Sequence, residues 1–582
     1  MRASGGVATG LALPTVLSVI LASAAATAVL AQDFEHVAPR LPATAPPLAV
    51  QTPAEAPPAS EDQTVLIPEL KGIVFVGEPA DVRARGAVET PPDGVSAAGL
   101  PLLAEDSAFL AAAQASVGRP LTRADLEALI ALVRDRYRAA GHPFMDVTAP
   151  PQNVQNGVVR IVVVEYRLDQ IEISGNRHFS DETILRLGGL ESGDLLTLPR
   201  LREALDDYNR NPFLSVSAVA RPGQTIGLTD IALKVEDRTP VRVYAGYDNQ
   251  GAPSLGRDEW YAGFNLGNLF GQAQVLSYQY TRSFSGRYES HSLSDVIPIN
   301  SDARLWLFGA YATQRPEIGD GTIFNSDGKT AQVSARLIHD LGRNSALTQS
   351  LQLGFDYKRT DNDLEFLGFT VLDSSVEIIQ IPIFYTLAAP DRHGQTVLEN
   401  MTVISPGGLS DHNTDAALRQ LVPFADANYA YDRLSVTRTT VLSRGMTWIV
   451  RGMSQYASGN LPYSEQIGGG GFGGVRGYDP NVALGSQGVV LSTEVRSGAF
   501  GVLPRIDDRM QLGLFVDYAW LSQPDPFPDL PESATLASVG FNVHYSVDRR
   551  FDIQMEVGSQ LRRAPGANKH DTQIAVTATF SF

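Results

Sequence analysis

The sequence predicts two small α+β units followed by a transmembrane antiparallel β-barrel of about 16 strands. Three observations carry this. A β-α-α-β-β pattern occurs twice before residue 240. Beyond Val241 helical periodicity becomes scarce, and segments of roughly ten residues alternate apolar with polar or small side chains. After residue 32, no uncharged apolar run approaches the ~20 residues that a spanning helix needs. The mean hydropathy of −0.06 is no objection, because alternating strands hide their apolar face from an average. A net charge of −18 argues against a general nucleic-acid binder. The absence of cysteine excludes a disulfide framework, a thiolate metal site and a cysteine nucleophile.

Taken in order, the chain opens with a stretch in which only Arg2 is charged before Asp33. Its apolar core runs from Leu11 to Leu30, with permissive residues ahead of Gln32. This reads as a cleaved signal peptide over residues 1–31; the competing reading is a membrane anchor, which Pro14 and the many small residues oppose. The chain is therefore expected to be exported. Residues 32–63 hold seven prolines and few large apolar groups, as in an extended linker.

Residues 64–166 form the first predicted unit and 167–240 the second. In the first, Gly72–Val76 is a strand, Glu105 to Ser116 a helix, and Thr122 to Ala140 a longer helix. Thr122 is placed to cap that helix, with Asp125 in its first turn, and Leu126, Ile130, Val133 and Tyr137 share a face. Strands follow at Phe144–Val147 and Val158–Val164. In the second, Leu168–Ser174 is a strand, Ser180 and Thr197 cap two helices, and Ser215–Ala220 and Thr229–Val235 are strands. Leu121-Thr122 matches Leu196-Thr197, and each long helix leads to Pro-Phe, at Pro143-Phe144 and Pro212-Phe213.

Sixteen barrel strands are expected to start near residues 241, 258, 272, 287, 302, 328, 348, 375, 394, 422, 445, 487, 509, 533, 549 and 571, those near 287, 302 and 422 being the least marked. Leu351, Leu353, Phe355 and Tyr357 alternate with polar or small residues, as do Phe551, Ile553, Met555 and Val557. Charges in mid-strand suit a wet lumen. The final strand alternates to Phe580 and Phe582.

One connection breaks the rhythm. Residues 459–485 contain Leu461-Pro462, Ser464-Glu465-Gln466, a run of glycines and Val475-Arg476-Gly477-Tyr478. No Gly-Lys-Ser/Thr follows, which removes the phosphate-loop reading. A single cation among apolar and aromatic neighbours suits a loop folded inward onto a partner. These residues resemble the signature of two-partner secretion transporters, the haemolysin and filamentous-haemagglutinin secretion-activation family, within the superfamily of barrels preceded by polypeptide-transport-associated (POTRA) domains. The resemblance covers essentially the whole chain. It implies POTRA 1 over 64–166, POTRA 2 over 167–240 and an outer-membrane barrel over 241–582, with the loop in the lumen. It also implies that Arg476 pairs with Asp517 of a Phe-x-Asp motif, here Phe515-Val516-Asp517. Strand parity agrees, for Leu512, Leu514, Val516, Tyr518 and Trp520 form the apolar set and leave Phe515 and Asp517 facing inward. Many relatives carry a plug helix before the linker; residues 32–40 are too short and too near prolines to predict one.

The function implied is a translocation pore. It would capture one large β-helical exoprotein, unfolded in transit, in the periplasm and pass it across the outer membrane without nucleotide hydrolysis. Other expected partners are outer-membrane lipid and the barrel-insertion machinery, which would read Phe580 and Phe582. Nucleic acid is not among them. The alternatives are a factor that inserts other barrels, and a secreted β-rich enzyme or adhesin. No catalytic, cofactor or metal site is expected: there is no Gly-x-Ser-x-Gly or His-Glu-x-x-His motif, and nine histidines are scattered without ligand spacing.

Overall fold

Alternation and helical caps become elements largely where they stand in the sequence. The computed structural model describes residues 38–42, 62–78, 94–154, 156–317, 324–341, 347–366, 369–471, 473–480, 482–526, 532–563 and 570–582. The expected signal peptide, the start of the linker where a plug helix would lie, and most of the rest of the linker fall outside these residues. Among the described residues, one compact unit takes in 62–210 and Leu214–Asp237; the other takes in 38–42, Asn211–Phe213 and Arg238–Phe582.

The first α+β copy contains β1 (Val65–Ile67), β2 (Gly72–Val76), β3 (Gly94–Ser96), β4 (Leu121–Thr122), β5 (Met145–Thr148) and β6 (Val158–Glu165). Its sheet has the order β3-β2-β6-β5, with β2 parallel to β6 and β5 antiparallel to it. The long helix spans Arg123–Ala139. Thr122 begins it because its Oγ1 accepts from the Asp125 amide at 3.1 Å while the Thr122 amide donates to Asp125 Oδ2 at 3.0 Å, a reciprocal capping box. Its buried face is Leu129, Val133 and Tyr137, flanked by Leu126 and Ile130. The preceding helix is shorter than expected, Ser107–Gln114, because Asp106 takes the cap position.

The second copy has β7 (Arg167–Ser174), β8 (Leu214–Pro222) and β9 (Leu228–Asp237) in the order β7-β9-β8, with helices Asp181–Gly188 and Leu198–Asn209 capped by Ser180 and Thr197. This is the arrangement of β2-β6-β5, so the two copies share one topology. The first copy adds β3, the β1–β4 ribbon and the short helix Pro101–Ala104.

The barrel strands are β10 (Val241–Asp248), β11 (Glu259–Leu269), β12 (Gln274–Ser283), β13 (Tyr288–Pro298), β14 (Ala303–Gln314), β15 (Phe324–Asp340), β16 (Thr348–Phe366), β17 (Phe369–Asp391), β18 (Gly394–Pro406), β19 (Asn428–Val441) and β20 (Thr447–Ala457). After the ribbon of β21 (Ile467–Gly468) and β22 (Leu484–Gly485) come β23 (Gln487–Arg496), β24 (Asp508–Ser522), β25 (Ser533–Val547), β26 (Phe551–Gln560) and β27 (Thr572–Ser581). Sixteen strands close antiparallel, with β20 beside β23 and β10 beside β27. The closing seam is short, from Tyr244↔Ser581 to Asp248↔Thr577. Phe582 extends it, its amide donating to the Val243 carbonyl at 2.8 Å and its carbonyl accepting from the Val243 amide at 3.1 Å. Among the described residues no helix is long and apolar enough to cross a membrane, and the crossing belongs to these strands.

Parity sets the two faces. On β24, Leu512, Leu514, Val516, Tyr518 and Trp520 are exposed, while Phe515, Asp517, Ala519 and Leu521 are buried. Val241 and Phe582 lie at the near rim, and the connections after β10, β12 and every second strand thereafter lie at the far rim.

Three expectations are corrected. The strand expected near 422 starts at Asn428, because a helix, Asp415–Leu421, capped by Thr414, occupies the connection. The lumen is not uniformly wet. Val376, Ile378, Met401, Val403 and Tyr429 of β17–β19 bury against Ala417, Leu418 and Leu461, and a second apolar cluster joins Ile467, Val475 and Tyr478 to Val490, Ala519, Leu521 and Leu536. The linker is not wholly unpacked either. The Arg40 amide donates to Tyr244 Oη at 2.9 Å, and its carbonyl accepts from Arg242 Nη1 at 3.0 Å and Asn265 Nδ2 at 3.2 Å. Its guanidinium lies 4.2 Å over the Tyr261 ring, so Ala38–Pro42 is fastened to the inner wall at β10 and β11.

Candidate functional site

The connection between β20 and β23 folds into the barrel rather than away from it. Its stem is the β21–β22 ribbon, with Ile467 opposite Gly485, continued by the Gly469 amide donating to the Ala483 carbonyl at 2.9 Å. The Gly471 amide then donates to the Tyr478 carbonyl at 3.2 Å, which turns Val475-Arg476-Gly477-Tyr478 toward the wall.

Val475 is fully buried in the apolar cluster of β23–β25. Arg476 reaches Asp517, five residues in from the outer end of β24. Its Nε donates to Oδ2 at 2.8 Å and its Nη2 to Oδ1 at 2.9 Å, and its own amide donates to Oδ2 at 3.1 Å. This is the bidentate fork that a guanidinium offers and an ammonium does not. The guanidinium carbon sits 3.5 Å from the centre of the Phe515 ring, so the Phe of the Phe-x-Asp motif is a stacking platform. Both side chains of the pair are almost wholly buried, at 6% and 0% exposure.

Sequence reading missed the rest of the cluster. Nη1 of Arg476 donates to Glu494 Oε2 on β23 at 2.6 Å and lies 3.5 Å from Glu556 Oε1 on β26. Glu494 also pairs with Arg496. Ser492 Oγ donates to Asp517 Oδ1 at 2.7 Å. The one available signal was parity, for Glu494 and Glu556 stand at inward-facing positions in mid-strand; which distant strands come together is not written in either segment.

Gly477 and Tyr478 complete the contact. A Cβ on Gly477, whose φ is +91°, would lie 2.6 Å from the Gly558 carbonyl oxygen, and one on Gly558 would lie 2.5 Å from the Gly477 nitrogen. Loop and wall meet backbone to backbone there, which glycine on both sides permits. Gln560 Nε2 donates to the Gly477 carbonyl at 2.9 Å. The Tyr478 hydroxyl lies within hydrogen-bond reach of the Ala537 and Arg562 carbonyls, at 2.9 and 2.5 Å. Phe580 and Phe582 stand apart from this site, exposed at the near-rim end of β27.

A closed barrel of sixteen strands, two copies of one α+β unit and an inward loop anchored through Arg476 define the class: a transmembrane β-barrel preceded by paired α+β domains. Residues 227–543 match the family described as haemolysin secretion/activation protein ShlB/FhaC/HecB. Residues 91–165 match the ShlB-type POTRA domain, and 166–238 match the POTRA family described as surface antigen variable number repeat. The chain belongs to the haemolysin secretion/activation family of two-partner secretion transporters. It is 22% identical over 493 residues to the heme/hemopexin transporter protein HuxB of Haemophilus influenzae (strain 86-028NP), covering 80% of this chain and 82% of the relative. It is 23% identical over 359 residues to the outer membrane transporter CdiB of Dickeya dadantii (strain 3937), covering 59% and 61%. Among solved structures, CdiB from Escherichia coli matches with a TM-score of 0.74 at 19% identity, covering 90% of this chain and 93% of that one. CdiB from Acinetobacter baumannii matches with 0.62 at 16%, covering 92% and 95%. The protein is an outer-membrane secretion pore with its POTRA domains in the periplasm, and it serves a secreted exoprotein partner.

Proposed function

We propose that the loop 459–485 is the gate of this pore and that Arg476 holding Asp517 locks it to the wall in a state that transport requires. The carrying observation is the fork of 2.8 and 2.9 Å between two buried side chains. Residues 1–31 are a signal peptide and 32–63 a linker; 64–166 form POTRA 1, 167–240 POTRA 2 and 241–582 the barrel. POTRA 1 captures a large β-helical exoprotein while unfolded, adding its extended backbone to a sheet edge, and POTRA 2 ends only a few residues before Val241. Folding of the exoprotein outside supplies direction without nucleotide. The chain's own chemistry is passage rather than catalysis. Phe580 and Phe582 address it to the barrel-insertion machinery, and its outward belt meets lipid.

The test is secretion of the partner beside insertion of the pore. Arg476→Ala and Asp517→Ala should each cut secretion at least tenfold while the heat-modifiable barrel band remains. Removing residues 64–166 should abolish secretion and likewise leave the band. Normal secretion by both point variants would end the gate reading.

A further inference from the structure

Arg476 fastens the distal part of the loop. The proximal part is fastened too, through Glu465 of the Ser464-Glu465-Gln466 segment and wall residues outside the Arg476 cluster. Glu465, 1% exposed, sits just before the β21–β22 ribbon. Lys358 Nζ of β16 donates to its Oε1 at 2.5 Å. Gln380 Nε2 of β17 and Tyr431 Oη of β19 donate to its Oε2 at 3.0 and 2.8 Å, and Ser464 Oγ donates to Oε1 at 2.8 Å. Its backbone carbonyl accepts from Gln455 Nε2 of β20 at 3.0 Å and Arg433 Nη2 of β19 at 3.3 Å. Both carboxylate oxygens and the carbonyl are therefore satisfied by the wall formed by β16, β17, β19 and β20.

The Arg476 cluster uses β23, β24 and β26, so the two fastenings share no strand. They also have opposite polarity. At one end the loop supplies the anion and the wall the cation; at the other the loop supplies the cation and the wall the anions. Each lies beside its own apolar cluster, Leu461 with the Asp415–Leu421 helix in one case and Val475 in the other. Two buried charges satisfied this fully are costly to leave half-paired.

We infer that Glu465 and Lys358 form a second latch, independent of Arg476 and Asp517, and that opening the lumen requires both to release. Glu465 is a positioning residue for the loop. The transport consequence rests on the gate reading above; the independence of the latches does not.

The chain has no cysteine, so single thiols report each end. Leu461→Cys and Val475→Cys, both fully buried, are labelled with a membrane-impermeant maleimide on intact cells carrying the full-length pore, each confirmed by its heat-modifiable band. In the Leu461→Cys background, Lys358→Met combined with Glu465→Gln, which removes both charges at near-constant shape, should raise labelling at least tenfold. In the Val475→Cys background the same pair should leave labelling unchanged, and Asp517→Asn should reverse the pattern. Lys358→Glu with Glu465→Lys should restore protection of Leu461→Cys. Equal deprotection of both thiols, no deprotection, or failure of the swap to restore protection overturns the second latch. Normal secretion with the thiol pattern intact overturns the gate reading and leaves the latch standing.

Discussion

The surroundings of Arg476 leave it little freedom of substitution. It faces Asp517, Glu494 and Glu556 over an aromatic ring. Removing one partner of a buried ion pair costs about 3–5 kcal/mol because the other is left uncompensated. Lysine would keep the charge and lose both the fork and the stacking. The neighbouring glycine contact makes a second, steric demand. Gly558→Ala places a methyl 2.5 Å from the Gly477 nitrogen, and so should unseat the loop tip without touching a charge. The expected result is secretion reduced at least fivefold with a normal barrel band, together with increased cleavage of the loop by added protease; an unchanged protease pattern would show that the tip tolerates displacement.

At the scale of elements, the long helix of the first α+β copy depends on its start. The Thr122 hydroxyl and amide hold the Asp125 carboxyl below its ordinary value. The sign follows from linkage. A carboxyl whose pKa is lower folded than unfolded adds stability that is complete above the unfolded value, about 4, and is lost as pH falls through the folded value. Thr122→Ala should cost about 1 kcal/mol at neutral pH and less as the medium is acidified below about pH 4. Amide hydrogen exchange across residues 123–127 of the full chain measures this; a penalty that stays constant down to pH 2 would assign it to packing.

Much of this level was legible. Most strand starts fall within a few residues of the positions that alternation indicates, because a strand with lipid on one side and lumen on the other has to repeat with period two. Asp517 was legible as inward-facing for the same reason. The Asp415–Leu421 helix was not, since it is seven residues long and buries only Ala417 and Leu418, too few to establish a helical period. Glu494, Glu556 and Lys358 were legible as a face but not as partners. Their contacts with the loop join strands whose neighbourhood is decided by closure of the ring, and Lys358 and Glu465 are 107 positions apart.

For the whole molecule, the seam is the place where closure is decided. Five residue pairs join β10 to β27, and Phe582 adds two backbone bonds to Val243 while its side chain is 85% exposed. Deleting Phe582 should remove those bonds together with the terminal aromatic, and lower the amount of heat-modifiable barrel by at least half in quantitative blots of outer membranes. A full yield would leave Phe582 with neither role.

The fastening of Arg40 to Tyr244, Arg242 and Asn265 constrains the order of events in biogenesis. The contacts lie on the inner face of the first two barrel strands, yet Arg40 precedes Tyr244 by 204 positions. Arg242 also donates to Ser581 Oγ of the last strand, at 2.7 Å through Nη2. One side chain thus touches the linker, the opening strand and the closing strand. A cord tied to the inside of a hoop has to be in place before the hoop is joined, or be drawn through it afterwards. The first route requires only that β10 and β11 gather the linker while the ring is still an open sheet. The ring then closes around a piece of its own chain.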